Sequence, residues 1–368
     1  MTHIVGAASE LTAIADPKSH PAYREFASVV ADVIAPRAAE VDRTEVPRSH
    51  IDALREVGYH RWGVPVAYGG LDVPEQVISA ANELLFGADP STATVVTQHS
   101  APVVPALVAG SPQSLELLPP LAAGDLIGGA GMGHVRGWPR RRGTLATPVA
   151  GGYRIDGVIG WHSGWGLTDV IWLGAVDADR DSYVFGIADL HDPAITAQPL
   201  ALNAVRGSRT VSLTLRGYFL PDALVSQVVP IETWKAEDGV VSLQLRRARQ
   251  LDPSTAADAV PQVPTAGAYG LARAALDDAL AAYPDEAALV RLSDELETLV
   301  REPLAEPAWR AALNELAVRA TAVALVARGG AGLLDEDLAQ IRARAALFLQ
   351  VRGLAPAVRS AHFAAYSR

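Results

Sequence analysis

The chain has 368 residues, enough for two or three domains or for one enzyme built of several lobes. Its apolar share of 49% and charged share of 20% are those of a soluble globular protein, and a net charge of −10 argues against nucleic-acid binding, whose footprints are basic. Cysteine is absent, which excludes disulfides, thiolate catalysis and Cys-ligated metals, and no metal site is expected. The first residues do not form a charged-then-apolar leader, and no uninterrupted apolar run approaches the ~20 residues of a bilayer helix. A cytoplasmic protein without membrane partners is therefore expected.

In chain order, Phe26, Val29, Val30, Val33 and Ile34 follow the spacing of one helix face, with Pro21 suited to the first turn and Pro36 expected to end the run. Ser49 and Asp52 resemble a capping box before Leu54 and Val57. Pro74 opens a further helix carrying Val77, Ala81, Leu84 and Leu85, and helix continues to about residue 123. The period then changes. Val211, Leu213 and Leu215 alternate with Ser212, Thr214 and Arg216, which predicts a strand, and Val170–Val176 and Tyr183–Leu190 are β-rich runs. After Pro264, four helices are predicted at Gly267–Tyr283, Ala287–Val300, Ala308–Arg328 and Glu336–Arg352. The expected class is α+β. Residues 1–123 form an N-terminal helical domain, 124–235 a central antiparallel β-domain, and 236–368 a C-terminal four-helix bundle. The arginine clusters Arg140–Arg142 and Arg246, Arg247 and Arg249 read as solvated surface or as contacts to a ligand's phosphates.

Three segments resemble the acyl-CoA dehydrogenase family. They are Gly58–Gly70, which ends in Ala67-Tyr68-Gly69-Gly70; Gly152-Tyr-Arg-Ile-Asp-Gly157 followed by Trp161-His-Ser-Gly164; and Val205-Arg-Gly-Ser208 followed, past a strand, by Leu220-Pro221. Each is weak alone, and their order and spacing make the resemblance specific. It implies FAD held between the β-domain and the bundle, completed by a neighbouring subunit in a homodimer or homotetramer. The implied substrate is a small molecule, such as a CoA- or carrier-bound acyl group. In the family a glutamate takes the α-proton of an acyl thioester while the flavin accepts hydride.

Residue by residue, the resemblance places Ser163 beside the flavin's N5 and Trp161 against the ring. Met132 and Gly133 stand where backbone contacts the pyrimidine edge. Gly329 and Gly330, in Gly329-Gly-Ala-Gly332, match the turn near the adenine end. His134 and His162 replace other residue types. Arg344 and Gln350 match a family Arg and Gln. The family's Arg-x-x-Phe-Gly after the first bundle helix has no counterpart, since Pro284-Asp-Glu-Ala-Ala288 stands there. The catalytic glutamate falls on Gly353, and around Val260, where some members carry the base, the nearest carboxylate is Asp258, two residues off. If Gly353 is only a lost base, Gly353→Glu is expected to restore some acyl-CoA dehydrogenation.

Three functions follow. The first is an acyl-CoA dehydrogenase-like flavoprotein oxidoreductase, acting on an acyl thioester or related metabolite with a non-standard base. The second is a flavin-dependent monooxygenase on the same fold, with His134 or His162 as acid or base. The third is a degenerate, flavin-poor subunit of a hetero-oligomer.

Overall fold

The computed structural model describes residues 16–241, 250–251 and 266–367. Arg246, Arg247, Arg249, Asp258 and Val260 lie outside the described residues. The N-terminal helices are α1 (Pro21–Val29), α2 (Ala38–Arg43), α3 (Arg48–Glu56), α4 (Glu75–Ala88), α5 (Pro90–Val96), α6 (Val103–Ala109), α7 (Pro112–Leu115) and α8 (Leu118–Ala123). Pro36 does not end the first run. A π-turn at Val30–Ile34 and a 3-10 turn at Ala35–Arg37 carry the chain past it, because these turns rearrange the hydrogen bonds that proline's missing N–H would break. The capping box is also absent. Pro47 is the N-cap of α3, Asp52 pairs with Arg48, and the Ser49 hydroxyl accepts from Arg37.

Eight strands follow: β1 (Gly128–Gly131), β2 (Thr144–Val149), β3 (Gly152–His162), β4 (Val170–Asp177), β5 (Ser182–Asp189), β6 (Ile195–Pro199), β7 (Val211–Pro221) and β8 (Val225–Pro230). Their order is β6-β7-β3-β2-β4-β5-β8, an open path. The central sheet is antiparallel as expected, apart from two parallel pairings: β1 pairs with β4, and β2 touches β4 at one residue. Three of the four β1 residues are glycine, so propensity gives no strand signal there. The predicted alternation is present in β7, where Val211, Leu213 and Leu215 are buried with Ile155 and Leu173 in the core of the sheet.

The C-terminal helices are α9 (Ile231–Glu237), α10 (Ala266–Ala282), α11 (Ala287–Arg301), α12 (Glu306–Arg328), α13 (Leu338–Leu349) and α14 (Pro356–Tyr366). All four predicted bundle helices are present, and α14 adds a fifth. Helix α13 stops at Leu349 rather than Arg352, and the chain turns through Gln350 to Gly353 before Pro356 starts α14. One buried cluster joins Phe26 of α1, Leu85 of α4, Leu271 of α10, Leu313 of α12 and Ala345 of α13, so the N-terminal helices and the bundle share a core. By length and composition, Glu306–Leu333 is the one helical stretch among the described residues that could cross a membrane. It carries Arg310, Asn314 and Arg319, and its face with Leu313, Leu316 and Ala320 is buried in the bundle.

A four-residue ion cluster ties the three parts together. Asp42 of α2 accepts from Arg206 Nε and Nη2 at 3.0 and 2.7 Å, and from Arg344 Nη2 of α13 at 2.6 Å. Asp335 accepts from both arginines at 2.8 Å. Beside Arg206, the Gly207 carbonyl accepts from Val46 N–H at 2.7 Å, and a Cβ on Gly207 would lie 2.0 Å from the Val41 carbonyl oxygen. Glycine is required at 207 by this close approach of the β-domain to α2.

Candidate functional site

Strand β3 ends by alternating two environments. Trp161 is 46% exposed, and its indole lies nearly parallel to the Phe348 ring of α13, 17° between planes and 6.3 Å between centroids. His162 points the other way and is fully buried, with Nε2 2.9 Å from Thr168 Oγ1 and Nδ1 3.3 Å from the Ala130 carbonyl. Ser163 is buried, and its hydroxyl lies 2.7 Å from that of Thr210, which in turn lies 2.7 Å from that of Ser208.

Burial pushes the His162 imidazole down to about 4. Its folded-state value is thus below the 6.5 of a free imidazole. The stability it contributes is complete above that unfolded value and is lost as pH falls from there toward the folded one. The urea midpoint of the protein is expected to fall between about pH 7 and about pH 4.5, and to fall less steeply in His162→Gln. Equal slopes would contradict the buried, neutral histidine.

The segment after β1 presents backbone rather than side chains. Met132 packs inward with Val135, Tyr183, Phe185 and Trp234, while Gly133 is exposed at the start of a 3-10 turn. His134 Nε2 lies 2.6 Å from Thr144 Oγ1, and burial lowers its imidazole to about 4. Arg140, Arg141 and Arg142 are exposed and have no carboxylate partner among the described residues. Arg136, by contrast, is spent on a two-pronged pair with Asp238 at 2.7 and 2.9 Å.

At the far end of α13, Gly353 has φ of +61°, a left-handed conformation that glycine adopts without strain. A Cβ there would lie 3.1 Å from Arg310 Nη2. That nitrogen donates to the Arg352 carbonyl at 2.7 Å. The Arg352 guanidinium sits over the Phe86 ring at 5.3 Å, with Nη2 3.4 Å from Thr97 Oγ1, an approach too long for a strong hydrogen bond. Burial, and then Arg310, lowers Arg352 to about 10; burial likewise lowers Arg310. Asn314 Nδ2 donates to the Leu349 carbonyl at 3.0 Å and approaches His362 Nε2 at 3.4 Å. The Arg310 guanidinium therefore lies beside Gly353 while that of Arg352 lies against Phe86 and Thr97, and among the described residues neither forms an ion pair with a carboxylate.

Residues 20–125 match the family profile described as acyl-CoA dehydrogenase, N-terminal domain. Solved structures match over nearly the whole chain. Butyryl-CoA dehydrogenase from Megasphaera elsdenii has a TM-score of 0.74 at 17% identity, covering 95% of this chain and 99% of its own. A glutaryl-CoA dehydrogenase from Mycobacterium smegmatis, solved with FADH2, has a TM-score of 0.72 at 17% identity, covering 93% and 92%. KijD3, solved with FMN and a dTDP-linked amino-keto sugar, has a TM-score of 0.73 at 20% identity, covering 95% and 94%. The chain has the acyl-CoA dehydrogenase fold. Its N-terminal domain belongs to that family. No curated protein sequence matches the chain.

In this acyl-CoA dehydrogenase fold the expected flavin residues are only partly free to act. Trp161 offers an aromatic face and Gly133 an exposed backbone, both of which suit a planar ring system. The Ser163 hydroxyl is already engaged with Thr210. His134 and His162 are held by scaffold groups, so neither is displayed as an acid or base. Gly329 and Gly330 are exposed in the turn between α12 and α13, where a Cβ on either would meet nothing within 4 Å. Arg344 belongs to the ion cluster with Asp42, and Gln350 binds α13 to α12 by donating to the Asn314 carbonyl at 2.7 Å. Sequence reading missed Arg310, Phe348 and Thr97. Arg310 lies 42 residues before Arg352, and only the packing of α12 on the end of α13 brings them together.

Proposed function

We propose that the protein is an FAD-dependent oxidoreductase of acyl-CoA dehydrogenase type. It acts on an acyl thioester or related metabolite, as a cytoplasmic homodimer or homotetramer, and its proton acceptor is not at position 353. The observation that carries this reading is the acyl-CoA dehydrogenase fold over nearly the whole chain, with the half-exposed Trp161 indole lying nearly parallel to Phe348. Trp161, Phe348, Met132 and Gly133 would hold the flavin ring, Gly329 and Gly330 its adenine end, and Arg140–Arg142 its phosphates. Bound flavin would accept the hydrogen equivalents removed from substrate. Trp161 and Phe348 would shield that surface from water. The carboxylate facing Arg310 is Glu306, one turn earlier on α12, and burial raises its pKa.

A second reading, a flavin-dependent monooxygenase, is favoured by the same glycine, because that chemistry needs no glutamate there. The likeness of fold to the FMN-containing KijD3 is consistent with it. Its expected acid or base groups, His134 and His162, are bonded to the scaffold, which ranks it second. Anaerobic titration of the flavin-loaded protein with a panel of acyl-CoA thioesters tests the choice. Bleaching of the flavin by a thioester supports the dehydrogenase. No bleaching by any thioester, with reoxidation of reduced flavin by oxygen altered by the protein, supports the monooxygenase.

A further inference from the structure

The N-terminal helical domain holds a cavity that shares no lining residue with the surface at Trp161 and Phe348. It measures about 540 Å³, within the ~300–1,000 Å³ of small-molecule sites, and it opens to solvent. Two 3-10 turns, Tyr59–Arg61 and Val66–Tyr68, and helix α8 enclose it. Its floor is small and apolar: α8 supplies Pro119, Ala122 and Ala123, and a Cβ on Gly69 would lie 3.7 Å from that of Ala122, so glycine keeps the gap between turn and helix wide. Two polar groups border this floor. Arg61 Nε donates to the Gly69 carbonyl at 2.9 Å, which fixes the plane of the guanidinium. Its two Nη groups have no hydrogen bond or ion pair among the described residues, and Asp125, just beyond α8, is paired with Arg55. The Tyr68 ring packs with Leu107 and Leu115 on the core under α8, while its hydroxyl has no hydrogen-bond partner among the described residues.

We propose that this cavity binds a small monocarboxylate, with its two oxygens on the Nη edge of Arg61 and its apolar body over Pro119, Ala122 and Ala123. The free edge of an oriented guanidinium offers two parallel N–H donors, which match the two oxygens of one carboxylate. A phosphate fits less well, because its further oxygens would meet alanine and proline instead of donors. The Tyr68 hydroxyl is left for a second polar group on the ligand. The site stands apart from the flavin chemistry, since none of its residues belongs to the flavin surface.

The test is calorimetry on the full chain with three probes: hexanoate, acetate and inorganic phosphate. Hexanoate is expected to bind with a dissociation constant of about 1 mM or tighter. It should bind at least tenfold tighter than acetate, which lacks the apolar body, and at least tenfold tighter than phosphate. Arg61→Gln, which removes the cation, and Ala123→Leu, which fills the floor from an exposed position, should each weaken hexanoate at least fivefold with native circular dichroism. Arg291→Gln, at an exposed arginine of α11, should leave it unchanged. If Arg61→Gln does not fold, Ala123→Leu alone decides. No binding of hexanoate, or phosphate bound as tightly as hexanoate, would overturn the proposal. So would hexanoate binding that neither variant weakens, which would put the ligand elsewhere on the chain.

Discussion

Asp42→Ala is expected to destabilise the protein by roughly 3 kcal/mol, the cost of leaving two cations without their buried partner, discounted because Arg206 is partly exposed. Asp42 itself is 2% exposed, and it is the one acid of the cluster that lies inside the fold. Its removal strands Arg206 of the β-domain and Arg344 of α13 on the half-exposed Asp335. If the chain unfolds as one unit, the melting temperature should fall by about 4 °C, from an unfolding entropy of ~2.1 cal/mol/K per residue. If the lobes unfold separately, the loss of a shared clamp should widen or split the transition. Glu40→Ala, which removes an exposed pair with Arg37, serves as the control and should leave the midpoint unchanged. An Asp42→Ala midpoint equal to that of the wild type would show that the cluster does not hold the three parts together.

Gly353→Glu is expected to give less than a tenfold gain in acyl-CoA dehydrogenation. Sequence alone suggests a rescue, because the substitution restores the residue type at the base position. The geometry argues otherwise on two counts. Gly353 has φ of +61°, where a side chain strains the backbone by about 1–2 kcal/mol. The Cβ of the new side chain would also lie 3.1 Å from Arg310 Nη2, so its carboxylate would meet that guanidinium. A guanidinium beside it holds a carboxylate ionised and paired, which lowers its pKa and makes it a poor proton acceptor. A gain of about two decades or more, the scale of a working general base, would mean that Arg310 does not control this position.

Much of the fold was legible in the sequence because apolar period carries it. The bundle helices, α4 and the alternating strand β7 were all readable from spacing, and the motif order pointed to the fold itself. What escaped was local geometry without a composition signal. The glycine-rich β1 has no strand propensity, Pro36 is passed by a π-turn, and the capping pattern at Ser49 is overridden by Pro47. Along β3 the sequence singled out Trp161, which faces outward and lies nearly parallel to the Phe348 ring, a partner the sequence did not indicate. The partner of Ser163, Thr210, sits 47 residues away, just before β7, and Arg310 of α12 reaches the Arg352 carbonyl beyond the end of α13. Such pairings arise from packing, so no window along the chain contains both members.

The visible absorption spectrum of the freshly purified protein, with the released cofactor identified by mass, tests the central claim that this fold still serves a flavin. The expected result is FAD in near-stoichiometric amount, with the flavin bands perturbed by Trp161 and returning toward those of free FAD in Trp161→Ala. A colourless protein that takes up neither FAD nor reduced flavin when these are added would contradict the account and make the chain a subunit that depends on an active partner.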